Sequence, residues 1–320
     1  MKTMKKWLTM ALTVALVLGL AACGGNAGSS ESSKESSAAS SKAESSSEAK
    51  SETKSEKVTG AKGEINVVSR EAGSGTRGAF IEIAGIEVKE GDQKVDKTYE
   101  AAVVQQGTDA VITYVSGDDR GIGYISLGSL NDTVKALKVE GVAPSEETVK
   151  DGSYKIARPF NICYKEDSLS DVAKDFIDFI FSKKGQEIVL ANNVVPVDSA
   201  APEYANTEKL SGKITIQGST SVDPVMEAII EAYNEVQPDV KIEKTANGSG
   251  AGITAATEGN ADIGMASREL KDEEKAALGY KAIAMDGIAV VVNKNNANED
   301  LTLEQIRQIF TGEVRNWEDL

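Results

Sequence analysis

The chain of 320 residues contains no histidine and only two cysteines, Cys23 and Cys163. Without histidine there can be no Ser-His-Asp or Cys-His catalytic group, no imidazole metal ligand and no imidazole proton shuttle. Two cysteines cannot build a structural zinc site or a disulfide framework. Positive charge is also scarce: 35 Lys and Arg stand against 50 Asp and Glu, a formal charge of −15. That balance argues against a nucleic-acid partner, whose phosphates favour basic patches. The apolar fraction, 40%, is slightly lean for a globular chain, which implies that part of the sequence is not globular.

The lean part comes first. Lys2, Lys5 and Lys6 precede an uncharged apolar run from Trp7 to Leu20, and small residues follow up to Cys23. A basic start, a short apolar stretch and small residues at the cut site describe a secretory signal over 1–22. The run falls short of the roughly 20 apolar residues that a membrane span needs. Leu20-Ala21-Ala22-Cys23 resembles the bacterial lipoprotein processing box, in which the cysteine is acylated and becomes the mature N-terminus. The resemblance implies lipid attachment at Cys23 and a place on the extracytoplasmic face of the cell membrane, held to the bilayer by acyl chains. The alternative is a plain signal peptide in which Cys23 is incidental. Residues 23–60 are mostly Ser, Glu, Lys and Ala. Such a stretch buries too little apolar surface to offset its ordering entropy, and reads as a disordered tether. Without the basic leader the remainder is more acidic than the whole, and is long enough for two lobes or one large domain.

That remainder alternates short β-branched runs with amphipathic ones. Strands are expected at 65–68, 121–125, 134–139, 160–164, 214–216, 240–242 and 289–292. Helices are expected at 76–86, 108–115, 169–181, 222–236, 253–258 and 303–309. In the third of these, Val172, Phe176, Ile177, Phe179 and Ile180 recur at helical spacing. The alternation predicts an α/β class with largely parallel sheets.

Three turns repeat one device. The strand near Val67 runs into Gly73-Ser74-Gly75-Thr76. The strand near Ile216 runs into Ser219-Thr220-Ser221, with Pro224 in the next helix. The strand near Ile242 runs into Ser249-Gly250. A helix start leaves backbone N–H groups without partners and carries about half a positive charge. Glycine lets an anion approach the backbone, and hydroxyls add donors. Arg70 adds a cationic fork suited to phosphate-type oxygens. Any single such turn is more often an ordinary N-cap; three of them with a strand-end arginine point to a ligand site. Gly73 to Gly78 also spells G-x-G-x-x-G, a dinucleotide fingerprint, but an exported lipoprotein rarely meets that cofactor. No Walker loop and no G-x-S-x-G elbow is present. Cys163 lies in an apolar strand and reads as a buried core thiol. Lys271 to Glu274 reads as a solvated helix start.

Ser69-Arg70-Glu71-Ala72-Gly73-Ser74-Gly75-Thr76-Arg77-Gly78 resembles the signature of the phosphate-binding lipoproteins of bacterial phosphate ABC transporters. So do Gly121 to Gly128, Gly218 to Pro224, Asp262 to Arg268 and Asp286 to Val290. In that family the Gly-Ser-Thr segment opens the domain and the Ser-Gly-Thr-Arg segment follows about a hundred residues later. Here the order is reversed, so the sequence looks circularly permuted, with 198–211 joining the family's old ends. The resemblance implies a two-lobe, type II periplasmic-binding-protein-like α/β fold with a ligand cleft between the lobes. A split lobe would comprise 61–159 plus 294–320, and a continuous lobe 166–287, with hinge crossings near 160–165 and 288–293.

The resemblance further implies phosphate ligands at Arg70, Ser74, Gly75 and Thr76 on one lobe. On the other it implies Ser219, Thr220, Ser221, Ser249 and Gly250. Two positions depart from the family. The acid usually found two residues after the arginine is Ala72 here, so Glu71 or another carboxylate would have to hold Arg70. The Asp that accepts the phosphate proton in some relatives is Arg268 here, and Asp286 is expected in its place. The implied function is a non-catalytic, monomeric phosphate receptor serving a membrane permease, with no cofactor, no metal and no catalytic residue. A receptor for sulfate or molybdate is the alternative, and a hydrolase using Ser74 or Ser221 a more distant one.

Overall fold

The structure, a computed structural model, describes residues 61–91 and 93–320. The signal segment, Cys23 and the tether lie outside the described residues. Valine and isoleucine runs form the strands, and glycine- and hydroxyl-rich turns open the helices. The strands that matter are β1 (Asn66–Arg70), β2 (Val103–Gln105), β3 (Gly121–Ser126), β4 (Ala157–Tyr164), β5 (Gly212–Gly218), β6 (Val240–Ala246), β7 (Ile263–Ala266) and β8 (Gly279–Asn293). The helices that matter are α1 (Gly75–Ile83), α2 (Thr108–Gly117), α3 (Asp171–Ile180), α4 (Lys183–Ala191), α5 (Asp223–Val236), α6 (Ser249–Glu258) and α7 (Leu303–Thr311). Helix α3 buries Phe176, Ile177, Phe179 and Ile180, and its N-cap Ser170 accepts from the Ala173 N–H, as its helical spacing predicts. Helix α1 ends at Ile83, short of the expected 86, because Gly85 turns the chain at φ +69°.

A ten-stranded sheet runs in the order β6-β5-β7-β4-β8-β3-β1-β2, with Val134–Ala136 and Val195–Pro196 also pairing with β8. Strands β6, β5 and β7 are parallel neighbours, and so are β3, β1 and β2. The expectation of largely parallel sheets fails in the middle: β4 is antiparallel to β7, and β8 is antiparallel to both β4 and β3. Parallel neighbours arise from strand–helix–strand crossovers on one side of the molecule. Strands β4 and β8 instead carry the chain between two cores in opposite directions.

One core contains Phe80, Ile122, Tyr124, Ile156, Ile288, Ile306 and Phe310. There the Phe80 and Tyr124 rings stack at 4.0 Å, and Phe310 meets Phe80 edge-on at 4.9 Å. The other core contains Phe160, Ile162, Phe176, Phe179, Ile216, Ile229 and Tyr233. The backbone therefore changes core between Ile156 and Phe160 and again between Ala284 and Ile288. Both crossings lie a few residues before the expected 160–165 and 288–293. The apolar runs chosen there line a core, whereas the crossing points carry Arg158 and Asp286. Strand β8 is also much longer than the expected 289–292, because Lys281 and Asp286 interrupt its apolar pattern. The hairpin of Glu87–Glu90 with Gln93–Asp96 and helix α4 were not anticipated.

Two further contacts shape the molecule. Near the described N-terminus, the Trp317 N–H donates to the Gly63 carbonyl at 3.1 Å, and Glu64 bridges to Asn316. The segment 198–211 has no regular element and is tied down by buried Asp175. Asp175 accepts from the Tyr204 hydroxyl at 2.7 Å, from Asn206 Nδ2 at 2.6 Å and from the Tyr233 hydroxyl at 2.7 Å. Among the described residues, no helix is long and apolar enough to cross a membrane.

Candidate functional site

Four helix starts meet where the two cores face each other. Strand β1 ends at Arg70, and the turn after it delivers Gly75 and Thr76 into the first turn of α1. Strand β2 leads to Gly107, whose φ of +86° turns the chain into α2 at Thr108. From the other side, β5 leads through Ser219, Thr220 and Ser221 into α5, and β6 leads through Gly248 into α6 at Ser249. Each start presents N–H groups that have no partner within its own helix, and adds partial positive charge.

The hydroxyls interlock across the divide. Thr76 Oγ1 and Ser221 Oγ share a hydrogen bond at 2.8 Å, and Thr108 Oγ1 lies 3.3 Å from both Thr220 Oγ1 and Ser221 Oγ. Ser219 Oγ donates to Ser267 Oγ at 2.9 Å, and Ser249 Oγ lies 3.3 Å from that same oxygen. The Gly250 N–H donates to the Gly73 carbonyl at 3.0 Å. The approach at Gly75 depends on its missing side chain. A Cβ there would stand 2.3 Å from Ser249 Oγ and 2.7 Å from Ser267 Oγ.

Arg70 is 1% exposed, and its Nη1 has only a long contact, 3.5 Å, with Thr108 Oγ1. Its Nε and Nη2 donate to the two carboxylate oxygens of Glu71 at 2.8 Å each, and Nη2 also donates to Thr220 Oγ1 at 3.0 Å. Glu71 thus does what the acid missing at Ala72 would have done. Burial alone would raise the Glu71 carboxyl, but Arg70 and the Gly107 N–H outweigh it and hold it below the usual range.

Not every expected residue sits in the hydroxyl cluster. Ser74 is the N-cap of α1 and accepts from the Arg77 N–H at 3.2 Å. Ser219 belongs to the cluster through Ser267, and it also accepts from the N–H groups of Ser221 and Val222, so it shapes a turn as well. Asp286, expected as the acceptor of a ligand proton, lies outside the hydroxyl cluster. Its Oδ1 accepts from Ser126 Oγ at 2.9 Å and from the Gly128 N–H at 3.3 Å, while its Oδ2 lies 3.1 Å from Arg158 Nη2. It meets none of the hydroxyls of the cluster, because β8 places it behind Arg158, which itself donates to Thr76 Oγ1 at 3.1 Å. Arg268 turns away as well, forking onto Glu274 at 2.7 and 2.8 Å.

Thr108, Ser267 and Arg158 were missed as site residues. Gly107-Thr108 before a helix is a fourth copy of the same turn, and could have been found by that spelling. Ser267 lies inside the Ala-Ser-Arg segment already singled out. Arg158 gave no signal, since nothing in an isolated strand arginine shows which core it enters. Outside the Gly73–Ser74 turn is a cavity of about 330 Å³ lined by Arg77, Asp96, Arg268 and Lys271. A larger groove of about 800 Å³, lined by Lys183, Leu190, Val197 and Met285, contains none of the turn residues. Among the described residues, no group of three or more Asp, Glu or Cys could hold a metal ion.

The chain has relatives of known name. The sequence matches the PBP superfamily domain over residues 40–184 and 203–320. It is 52% identical over 263 residues to a protein of Streptococcus agalactiae named Phosphate-binding protein PstS 2, covering 81% of this chain and 89% of that one. This chain belongs to the phosphate-binding-protein family of the PBP superfamily. Among solved structures it resembles the phosphate-binding protein of a phosphate ABC transporter from Streptococcus pneumoniae. That match has a TM-score of 0.66 and 49% identity, and covers 80% of this chain and 99% of that one. The likeness to the Phosphate-binding protein PstS of Bacillus subtilis is shorter: 36% over 128 residues, 38% of this chain and 41% of that one. Family membership fixes the α/β fold of the described residues.

Proposed function

We propose that this phosphate-binding-protein family member is an extracytoplasmic receptor that binds inorganic phosphate between its two lobes and delivers it to the permease of a phosphate ABC transporter. The observation that carries the reading is the meeting of four helix starts, seven hydroxyls and Arg70 from both sides of the cleft. Arg70, Gly75, Thr76, Thr220, Ser221, Ser249 and Gly250 are the proposed ligands, joined by Thr108 and Ser267. N–H groups and the guanidinium donate to phosphate oxygens, and a serine or threonine oxygen can accept the proton of hydrogen phosphate. The nearby carboxylates, Glu71 and Asp286, face arginines and keep the site from carrying excess charge before the anion arrives. Binding and release require no bond to be made, which fits a receptor rather than an enzyme. Isothermal titration with phosphate, repeated in excess sulfate, tests the reading. Sulfate competing at comparable concentration would replace it with a general oxyanion receptor, and turnover of a phosphomonoester would replace it with a hydrolase.

The circularly permuted order belongs to the same proposal. Two observations support it: the contact of Gly63 with Trp317, and the tied-down segment 198–211 that would link the former ends. Permutation is tolerated where ends lie close together at the surface. A near-full-length match to the Streptococcus protein and a partial match to the Bacillus protein are what an order shared with the former alone would give. Acylation at Cys23, a flexible tether and a monomeric receptor complete the proposal. Mass spectrometry of the membrane-extracted protein would detect the acyl groups on Cys23, and an unmodified mature N-terminus elsewhere would remove that anchor.

A further inference from the structure

Arg158 and Asp286 stand directly opposite each other where β4 and β8 pass between the two cores. Their side chains are 2% and 0% exposed. Asp286 is held on the first side by Ser126 Oγ and the Gly128 N–H. Arg158 lies 5.1 Å above the Phe160 ring of the second core. An ion pair serving only to join the strands would close on itself, with the guanidinium forked onto the carboxylate. This one does not. Arg158 brings only Nη2 to Asp286, and the same nitrogen donates to Thr76 Oγ1, the hydroxyl that meets Ser221 from the opposite lobe. Its Nε and Nη1 are buried and have no hydrogen-bond partner among the described residues, and Asp286 Oδ2 has only the ion-pair contact with Nη2. Buried donors without partners are costly, and in native proteins their retention calls for an explanation.

We propose that Arg158 is the second cationic residue of the phosphate site, a positioning residue that fixes the Thr76 hydroxyl and adds its charge to that of Arg70. Asp286 orients the guanidinium from behind, so the point where the strands cross is wired to the site through one hydrogen bond. The two arginines are then matched in design. Each is neutralised by one carboxylate on the side away from the hydroxyls, and each reaches a threonine in the cluster. This inference rests on the phosphate reading.

The test is isothermal titration of the full-length protein with inorganic phosphate, comparing wild type with Arg158→Met, Arg158→Lys, Thr76→Ala and the Arg158→Met, Thr76→Ala double variant. Arg158→Met should weaken binding by about tenfold or more, and Arg158→Lys should recover most of that loss because it keeps the charge. The double variant should lose clearly less than the two single losses combined, since the residues act as one unit. Binding within about twofold of wild type in Arg158→Met, equal weakness in Arg158→Lys, or additive losses would each overturn the inference. If circular dichroism shows Arg158→Met unfolded, Asp286→Asn takes its place: it keeps the guanidinium and loosens its anchor. Several-fold weaker binding there supports the proposal, and unchanged binding defeats it. Failure of the wild-type protein itself to bind phosphate would instead refute the underlying phosphate reading.

Discussion

At Arg70 the structure shows a strand-end arginine before Gly73-Ser74-Gly75-Thr76, with Glu71 as its fixed partner. Its role as an anion ligand belongs to the proposal. Removing Arg70 takes away a charge-assisted hydrogen bond and leaves Glu71 partly buried and unpaired. Arg70→Ala should therefore cost about 1.5–3 kcal/mol of phosphate affinity, roughly tenfold or more, as read by titration. Asp286 is the residue whose surroundings the sequence showed least. The motif showed a carboxylate, but only the strand crossing shows that it faces Arg158 and not the hydroxyls. Burial pushes its carboxyl up to about 6, against the opposing pull of Arg158, Ser126 and the N–H groups of Gly128 and Leu127. The same burial pushes Arg158 down to about 10, so it stays cationic at neutral pH. A carboxyl raised in the folded state favours folding while it is protonated. That contribution is complete below about pH 4 and is lost as pH rises through about 6. Carboxyls held below their usual range, Glu71 and Glu274 among them, contribute with the opposite sign. In thermal denaturation it is therefore the stability of wild type relative to Asp286→Asn that should fall across that window.

Among the elements, helices with strong apolar spacing were the most legible, α3 above all. The turns were legible too, because glycine and hydroxyl residues before a helix have few other uses. What escaped were elements whose reason lies elsewhere in the chain. The antiparallel course of β4 and β8 depends on which core each end enters, and no local pattern encodes that. Gly75 is where a turn and long-range packing meet. Gly75→Ala leaves α1 able to form but drives a methyl into Ser249 and Ser267. It should weaken phosphate binding by about tenfold or more, and the overpacking should cost about 1–3 kcal/mol of stability; binding equal to wild type would show that the turns need not come so close. Asp175 tests the joining segment separately. Asp175→Ala leaves the hydroxyls of Tyr204 and Tyr233 and the amide of Asn206 without their acceptor. It should destabilise the fold by about 2 kcal/mol or more in urea denaturation, with phosphate affinity nearly unchanged.

For the molecule as a whole, acidity and anion binding coexist because they operate at different ranges. Charges exposed on the surface are screened beyond about 8 Å at physiological salt. Helix starts, hydroxyls and two buried arginines set the potential where the ligand would sit. In the proposed receptor, binding would be coupled to lobe closure. A ligand held from both lobes favours the closed arrangement by its difference in affinity for the two states. The most direct measurement is a phosphate titration of the protein with a large excess of sulfate present throughout. The account predicts saturable one-to-one binding, at an affinity that sulfate barely changes. Binding abolished by sulfate, or no phosphate binding at all, would contradict it.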